Sequence, residues 1–264
     1  MGADDHTSLS TADLIQLALA APDEDSEWPY VTLLQERGTA GVFEAARLLC
    51  GSGEPRERAL GVDILAQGRV EWKTLRRRSV PLLLKMLGRE TDVDVVWSLC
   101  FALGHLHDTR AIAPLVRWAQ HPDADIRYGV VYGLLGYEDD RALTALIVLS
   151  ADVEDKVRDW ATFGLGTQIE ADTPALRDAL VARLTDPHAD TRAEAGAGLA
   201  RRQDERVVAS VRQELAHDEV GSLIVEAARD LADPRLHAAL VALEACWDVD
   251  SALLSAAISA CASG

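Results

Sequence analysis

Two histidines and an aspartate, His105, His107 and Asp108, form a local cluster whose residue types suit a metal ion. Imidazole nitrogens and a carboxylate can hold zinc when a loop folds around the ion. His105 and His107 are only two residues apart, however, and helical side chains at that spacing do not share a face. Because this stretch closes a helical repeat, we predict hydrogen-bonded or exposed histidines, no metal site and no cofactor.

No motif for nucleophilic or nucleotide chemistry accompanies these histidines. The sequence contains no Gly-x-x-x-x-Gly-Lys, Gly-x-Ser-x-Gly or His-Glu-x-x-His pattern. Its four cysteines lie far apart in apolar helical stretches without a Cys-x-x-Cys pair, which predicts buried and reduced thiols. We therefore predict a protein that is not an enzyme.

Large aromatic residues recur at equivalent positions of successive helices, and they are the strongest candidates for binding. Columns four residues apart lie on one helix face, whereas the apolar core is carried by other positions such as Ile126, Val130 and Leu134. Rings stacked over three helices would form an exposed apolar stripe with negative charge at its edge, a pattern typical of a protein-binding surface. The alternative is that these rings pack between helices as core. The columns are Trp97, Tyr128 and Asp159, and Phe101, Tyr132 and Phe163.

A second and weaker candidate is the basic cluster of Lys73, Arg76, Arg77 and Arg78 beside Trp72. These cations could receive an acidic partner or a phosphate group. The commoner arrangement is a loop whose cations pair with neighbouring carboxylates. The cluster is therefore predicted as a secondary basic patch.

The elements that must position these residues repeat along the chain. Arg127, Arg158 and Arg192 follow one another after 31 and 34 residues, and each is followed six and seven residues later by Gly-Leu. A helical unit that returns at this period predicts a solenoid. Strand-like alternation is absent from the sequence. The predicted fold is all-α, a right-handed α-solenoid of about seven helix pairs with an N-terminal helical cap.

The predicted boundaries place the cap at residues 1–27 and one solenoid domain at residues 28–264. In the cap, Ser10 or Thr11 can begin a short helix that ends at Ala20, before an acidic loop at residues 22–27. Aspartate and proline mark most of the later breaks, because aspartate caps a helix and proline starts one. The predicted pairs span about 42–67, 80–107, 111–137, 142–167, 175–202, 206–231 and 236–261.

The charge balance limits the classes of partner. The chain has 43 acidic and 26 basic residues, a formal net charge of −17. This charge repels nucleic-acid phosphates and anionic membrane surfaces, so neither nucleic acid nor membrane is predicted as a partner. The first residues are acidic and polar, unlike a secretory signal, and the expectation is a soluble cytoplasmic protein.

Two repeat units resemble HEAT repeats: His-Pro-Asp-Ala-Asp-Ile-Arg-Tyr-Gly-Val-Val-Tyr-Gly-Leu-Leu at 121–135, and Asp-Pro-His-Ala-Asp-Thr-Arg-Ala-Glu-Ala-Gly-Ala-Gly-Leu-Ala at 186–200. The resemblance covers nearly the whole chain from about residue 40, and the segments 57–67 and 155–166 resemble bacterial HEAT-repeat proteins of undefined function. In that family the two aromatic columns are usually polar and face the concave surface. An aspartate between helices and an arginine of the second helix also stack into a ladder. The resemblance implies a structural ladder of Arg58, Arg127, Asp152, Arg158, Asp186, Arg192 and Asp218.

Some proteins with HEAT-like repeats have enzymatic roles, and three such types make different demands on the residues of this sequence. A deoxyhypusine hydroxylase takes its metal ligands from repeated His-Glu pairs, and this sequence has no His-Glu dipeptide. An alkylpurine DNA glycosylase needs a basic groove, which the net charge opposes. A phycobilin lyase type stays open as a minor alternative.

The function predicted from the sequence is a non-enzymatic adaptor or scaffold with a concave aromatic groove and an acidic rim. Its expected ligand is a protein segment, basic or amphipathic and helical, because the chain is acidic and the columns are aromatic. Two alternatives remain open. One is an enzyme accessory or small-ligand-binding protein of the lyase kind, and the other is an acidic inhibitor or immunity-type protein.

Overall fold

The computed structural model describes residues 9–67, 72–217, 219–247 and 249–262, and every regular element in these ranges is a helix. Each described helix is too short or too polar to cross a lipid bilayer. The chain divides into two compact units, Met1–Leu134 and Leu135–Gly264. The first unit contains α1 (Thr11–Ala20), α2 (Glu24–Arg37), α3 (Ala40–Leu49), α4 (Pro55–Ala66), α5 (Trp72–Leu87), α6 (Val93–Leu106), α7 (Ile112–Val116) and α8 (Ala124–Leu134). The second contains α9 (Asp140–Leu149), α10 (Asp155–Phe163), α11 (Pro174–Arg183), α12 (Ala189–Arg201), α13 (Val208–Glu214), α14 (Ser222–Leu231), α15 (His237–Leu243) and α16 (Ser251–Cys261).

Consecutive helices form pairs, and the second helices of successive pairs pack against one another within each unit. In the first unit α4 packs on α2 and α6, and α6 packs on α8; in the second unit α12 packs on α10 and α14, and α14 packs on α16. Seven pairs, from α3 and α4 to α15 and α16, follow α1 and α2 in the described residues. The predicted α-solenoid class is confirmed.

The first helix begins where the sequence predicts. The Oγ atom of Ser10 accepts the backbone N–H of Asp13 at 3.1 Å, and the Asp13 carboxylate accepts the backbone N–H of Ser10 at 3.1 Å. This reciprocal capping box satisfies donors that the first turn of a helix leaves without partners. α1 then ends at Ala20, as predicted.

Two segments predicted as loops are helical. Asp23 accepts the N–H of Ser26 at 2.9 Å and caps α2, which starts at Glu24, so the predicted acidic loop at residues 22–27 is wrong. Acidic residues at a helix N-terminus also interact favourably with the helix dipole. The basic cluster lies within α5, which begins at Trp72. The cap boundary after residue 27 falls inside α2, and the single domain at residues 28–264 stays a prediction.

The cysteines are mostly core residues. Cys50, Cys100 and Cys261 are buried, whereas Cys246 is exposed. The expectation of a buried thiol is wrong for Cys246 because α15 ends at Leu243 and the residue lies in the following turn. Burial raises the pKa of the Cys100 thiol to about 12, which keeps it protonated and unreactive at neutral pH.

A pair of glycines lets the backbone after α10 approach α12. Residues 164–168 continue α10 as a turn of π-helix, and a Cβ atom added to Gly198 would lie 2.6 Å from the Cα atom of Gly166. The guanidinium of Arg202 closes this turn by donating to the carbonyl oxygens of Leu165, Ile169 and Ala171. Gly198 belongs to one of the repeated Gly-Leu pairs of the sequence. At this position two backbone segments are in contact, and there is no room for a side chain.

Alanine at Gly198 is expected to destabilise the protein by about 1–3 kcal/mol, the usual cost of overpacking. The matched control is Gly196→Ala in the same helix, where an added Cβ atom would meet Ile224 at an ordinary 3.9 Å. That change is expected to stabilise by about 0.5–1 kcal/mol, because glycine weakens a helix interior. Urea unfolding followed by circular dichroism measures both changes. Equal effects of the same sign would contradict the close approach.

Candidate binding surface

Four aromatic side chains of α6 and α8 come together in the first unit, and we name them the aromatic cluster: Trp97, Phe101, Tyr128 and Tyr132. Phe101 lies at its centre. Its ring stacks on Trp97 with centroids 4.1 Å apart and on Tyr132 with centroids 4.0 Å apart, and the Tyr128 ring lies 6.0 Å away. Residues four apart share a helix face, which explains why α6 and α8 each contribute two rings.

The aromatic cluster lies at the surface of the unit. All four residues are half-buried, while the neighbouring core positions of α6, Val96, Leu99 and Leu103, are 0% exposed. The rings therefore stack on one another and still present apolar area to solvent. The role of these four residues as a binding surface stays a prediction.

A histidine closes one end of the aromatic cluster. The Nε2 atom of His105 lies 2.9 Å from the Gln67 side-chain nitrogen and 3.2 Å from the Tyr132 hydroxyl, and its ring meets Tyr132 edge-on. Burial lowers the pKa of His105 and raises the pKa of Tyr132. Both groups are therefore neutral at neutral pH. His105 acts here as a hydrogen-bonded support for the tyrosine.

The three residues first considered for a metal have separate roles. His107 ends α6 in a left-handed conformation with φ of 44°. Asp108 binds the guanidinium of Arg110 with both carboxylate oxygens, at 2.8 and 2.9 Å. In the described part of the chain, no group of three or more His, Cys, Asp and Glu side chains is arranged to hold a metal ion.

A cavity adjoins the aromatic cluster at Trp97. It has a volume of about 610 Å³ and is lined by residues of α2, α4 and α6 and of the first turn of α8. Two indoles, those of Trp28 and Trp97, contribute to its walls, and Trp28 is 41% exposed. Among the described residues, the lining also holds one guanidinium, that of Arg56, and five carboxylates, those of Glu27, Glu54, Asp63, Asp94 and Asp125.

The other two predicted column residues lie in the second unit. The Phe163 ring packs edge-on against Trp160, with centroids 5.6 Å apart. The Asp159 carboxylate is half-buried and accepts a hydrogen bond from Thr191 at 3.1 Å. The structure thus brings four of the six column residues together, while Asp159 and Phe163 have local partners of their own.

Asp159 and Glu194 are two acids whose pKa values are raised by burial. Burial raises the pKa of Asp159, and it also raises the pKa of Glu194, to which the negative charge of Asp159 adds. Thr167 donates a hydrogen bond to Glu194 at 3.0 Å, which lowers the pKa of Glu194 and only partly offsets the rise. In this chain the two acids are an electrostatic cost at neutral pH, because their ionised forms are less stable in the folded state than in the unfolded one.

The sign of the pH effect follows from these raised values. Between the unfolded and the raised folded pKa the folded state binds more protons, so this contribution to stability falls as the pH rises through that window. We expect Asp159→Asn with Glu194→Gln to raise the Tm at pH 7 by roughly 2–4 °C, the response of a chain of 150–250 residues to about 1 kcal/mol. The gain should vanish near pH 4. The control is Glu205→Gln with Glu244→Gln, two exposed acids, and an equal gain there would contradict the assignment.

The arginines of the predicted ladder close the turns before their own helices. Each donates to the backbone carbonyl six residues earlier, and three of them also donate to the carbonyl five residues earlier. Arg58, Arg158 and Arg192 each also bind a carboxylate from the next helix pair at 2.6–2.8 Å. These arginine–carboxylate pairs are Arg58 with Glu90, Arg158 with Asp186, and Arg192 with Glu214. Arg127 donates to the carbonyls of His121 and Pro122.

The acidic side of the ladder differs from the pattern that the resemblance implies. Glutamates Glu90 and Glu214, instead of aspartates, bind Arg58 and Arg192. The Asp152 carboxylate accepts the N–H of Glu154 at 2.9 Å. Asp218 lies outside the described residues. Asp186 pairs with the ladder residue Arg158 as the resemblance implies.

The secondary basic patch is partly occupied by the protein itself. The guanidinium of Arg78 pairs with Glu44 at 2.7 Å and lies 4.3 Å above the Phe43 ring. Arg77 is exposed. The side chains of Lys73 and Arg76 lie outside the described residues. Binding of an acidic ligand by this patch therefore stays a prediction.

Sequence reasoning missed Trp28 and most of the acids that line the cavity. Trp28 lies in α2, outside the regular repeats, so no repeat column includes it. Asp94 and Asp125 lie three residues before the column residues Trp97 and Tyr128, and Asp63 occupies the position of α4 that is equivalent to Tyr132. Their helical spacing is the signal that relates them to the same face.

Comparisons with known proteins show a similarity to HEAT repeats in part of the chain. A family model described as HEAT repeats matches residues 80–166. The protein YibA of Escherichia coli strain K12 is 32% identical over 112 residues, which are 42% of this chain and 40% of YibA. The aligned segment therefore spans less than half of that curated relative.

Solved structures extend the similarity to the fold of the chain. The X-ray structure of Escherichia coli YibA has a TM-score of 0.80 at 22% identity and covers 100% of this chain and 99% of its own. An archaeal HEAT-like repeats protein from Thermococcus onnurineus NA1 has a TM-score of 0.55 at 14% identity, covering 95% and 98% of the two chains. At these identities the structures establish the fold alone.

Proposed function

Because this chain carries HEAT repeats in an α-solenoid, we propose that it is a non-enzymatic scaffold whose aromatic cluster binds a segment of a partner protein. The observation that carries this proposal is the stack of half-exposed rings on α6 and α8. Aromatic rings contribute more than other residues to protein interfaces. These rings hold one another in place, so little conformational entropy is lost when a partner covers them.

The partner chemistry follows from charge. The chain carries a formal charge of −17, and carboxylates of α4, α6 and α8 lie in the cavity beside Trp97. Such a field attracts a basic segment and repels nucleic-acid phosphates. A basic amphipathic helix, with apolar residues for the rings and cations for the acids, fits this surface.

Affinity capture from an extract of the source organism tests the proposal. Wild-type protein and the Tyr128→Ala/Tyr132→Ala variant are immobilised side by side, and the bound proteins are identified by mass spectrometry. The proposal expects a protein that the wild type retains and the variant loses. Equal recovery of every protein by both, with helicity unchanged, would be evidence against a binding role for these rings.

A further inference from the structure

The cavity beside the aromatic cluster combines aromatic walls with negative charge. Trp28 comes from α2 and Trp97 from α6, so the two indoles reach the same space from different helices. Its volume of about 610 Å³ lies within the roughly 300–1,000 Å³ of ordinary ligand sites. A space of this size and composition suits a flat organic cation, because the indole face attracts positive charge.

The cation in the lining is already engaged. The guanidinium of Arg56 pairs with Glu27 at 2.9 Å and donates to the carbonyl oxygens of Ala18 and Ala21 at 3.1 and 3.0 Å. These bonds cap the end of α1. Besides Glu27, the described lining has four carboxylates, and two of them are exposed: Glu54, the residue before α4, and Asp94 of α6. The cavity is therefore complementary to an added positive charge.

The same chain shows how a ring and a carboxylate hold a guanidinium. Arg78 lies over the Phe43 ring while it pairs with Glu44. A guanidinium can stack on an aromatic face and bind a carboxylate with two donors at once, whereas an ammonium group offers one point of charge. The cavity contains the same two kinds of group, aromatic rings and carboxylates, in larger number.

We propose that this cavity is a receptor for an arginine side chain. The inference rests on the proposed function for the origin of that arginine, which is the segment bound on the aromatic cluster. Trp97 belongs to both sites, and its ring stacks directly on Phe101. The arginine therefore lies within about one helical turn of the residue that covers the rings, since side chains three or four apart on a helix are neighbours.

The experiment uses Nα-acetyl-L-arginine amide as the probe with the full chain. Its effect on the indole N–H signals of Trp28 and Trp97 is followed by two-dimensional NMR at constant ionic strength. Saturable shifts of both signals are expected, with affinity at least fivefold higher than for the lysine amide and no response to the uncharged citrulline amide. Equal binding of citrulline or lysine amide, or unmoved indole signals, would overturn the proposal.

Substitutions in the lining test the contribution of charge and of the indole separately, and the amide variants keep the size of each acidic side chain. Asp94→Asn with Glu54→Gln is expected to weaken binding of the arginine amide about tenfold, and Trp28→Ala to a similar degree. Glu205→Gln with Glu244→Gln makes the same change in net charge at exposed positions of the second unit, and it should leave the affinity unchanged. Equal weakening by both pairs would show that net charge alone attracts the probe and would sink the proposal.

The arginine receptor and the proposed function fail separately. If the tyrosine variant loses its partner while arginine amide leaves both indoles unmoved, the scaffold function stands and the receptor does not. If arginine amide binds while wild type and tyrosine variant retain the same proteins, the receptor stands and its arginine does not come from a segment on the aromatic cluster.

Discussion

Replacing Arg158 with alanine is expected to lower the free energy of unfolding by about 3–5 kcal/mol, the cost of breaking a buried ion pair, because Arg183 at 3.4 Å is a more distant partner for Asp186. The side chains of Arg158 and Asp186 are 8% and 2% exposed. Two N–H groups of the guanidinium bind the two carboxylate oxygens at 2.6 and 3.0 Å. A third donor group binds the carbonyl of Asp152, so the change also opens the turn before α10.

Two further variants distinguish this pair from ordinary surface charge. Arg141→Ala removes an arginine that is 58% exposed and pairs with Asp139, and it should change the free energy of unfolding very little. Arg158→Met with Asp186→Leu removes both buried charges and should recover much of the loss. Urea unfolding followed by circular dichroism gives all three values. Equal losses for Arg158→Ala and Arg141→Ala would contradict the assignment.

The effect of Arg158→Ala should depend on pH. Burial raises the pKa of Asp186, but the hydrogen bonds and charges of Arg158 and its neighbours outweigh it, and the net pKa is lowered. A lowered folded pKa contributes stability that is present above the unfolded value and is lost as the pH falls through the folded one. The difference between wild type and variant should therefore shrink in acid.

The double variant Tyr128→Ala/Tyr132→Ala is expected to weaken binding of the captured partner by at least about 100-fold. Truncating one aromatic anchor typically costs about 2 kcal/mol or more, and about 1.4 kcal/mol corresponds to a factor of ten in affinity. Loss of Tyr132 also uncovers Phe101, whose ring it stacks on. Titration calorimetry with the purified partner measures the Kd of each form.

Controls for the tyrosine variant test apolar area and folding separately. Leu48→Ala removes an apolar side chain that is 65% exposed on α3, outside the lining of the cavity, and should leave the Kd unchanged. Tyr132→Phe keeps the ring and should retain most of the affinity. If the double variant is as helical as the wild type and binds with the same Kd, the aromatic cluster is not the binding surface.

Local rules were enough for the helices and their pairing. Ser10 begins α1 where a capping residue precedes an apolar run, and the seven later pairs follow the repeat period, because these signals act between residues a few positions apart. The same rules placed Trp97, Phe101, Tyr128 and Tyr132 on common faces. They failed at Glu24 and Trp72, where turn-like or charged composition hid a helix start.

What the sequence by itself determined is the periodic part of this protein: helix pairs, the Gly-Leu positions and the aromatic columns, all consequences of helical spacing. Only the tertiary structure decided which groups meet across repeats. It paired Arg58 and Arg192 with glutamates instead of aspartates, brought Gly198 against Gly166, and placed Trp28 beside the acids around Trp97. Such contacts join residues far apart in sequence. They depend on how each helix is rotated and packed against its neighbours, and the spacing of residues within one helix does not determine this.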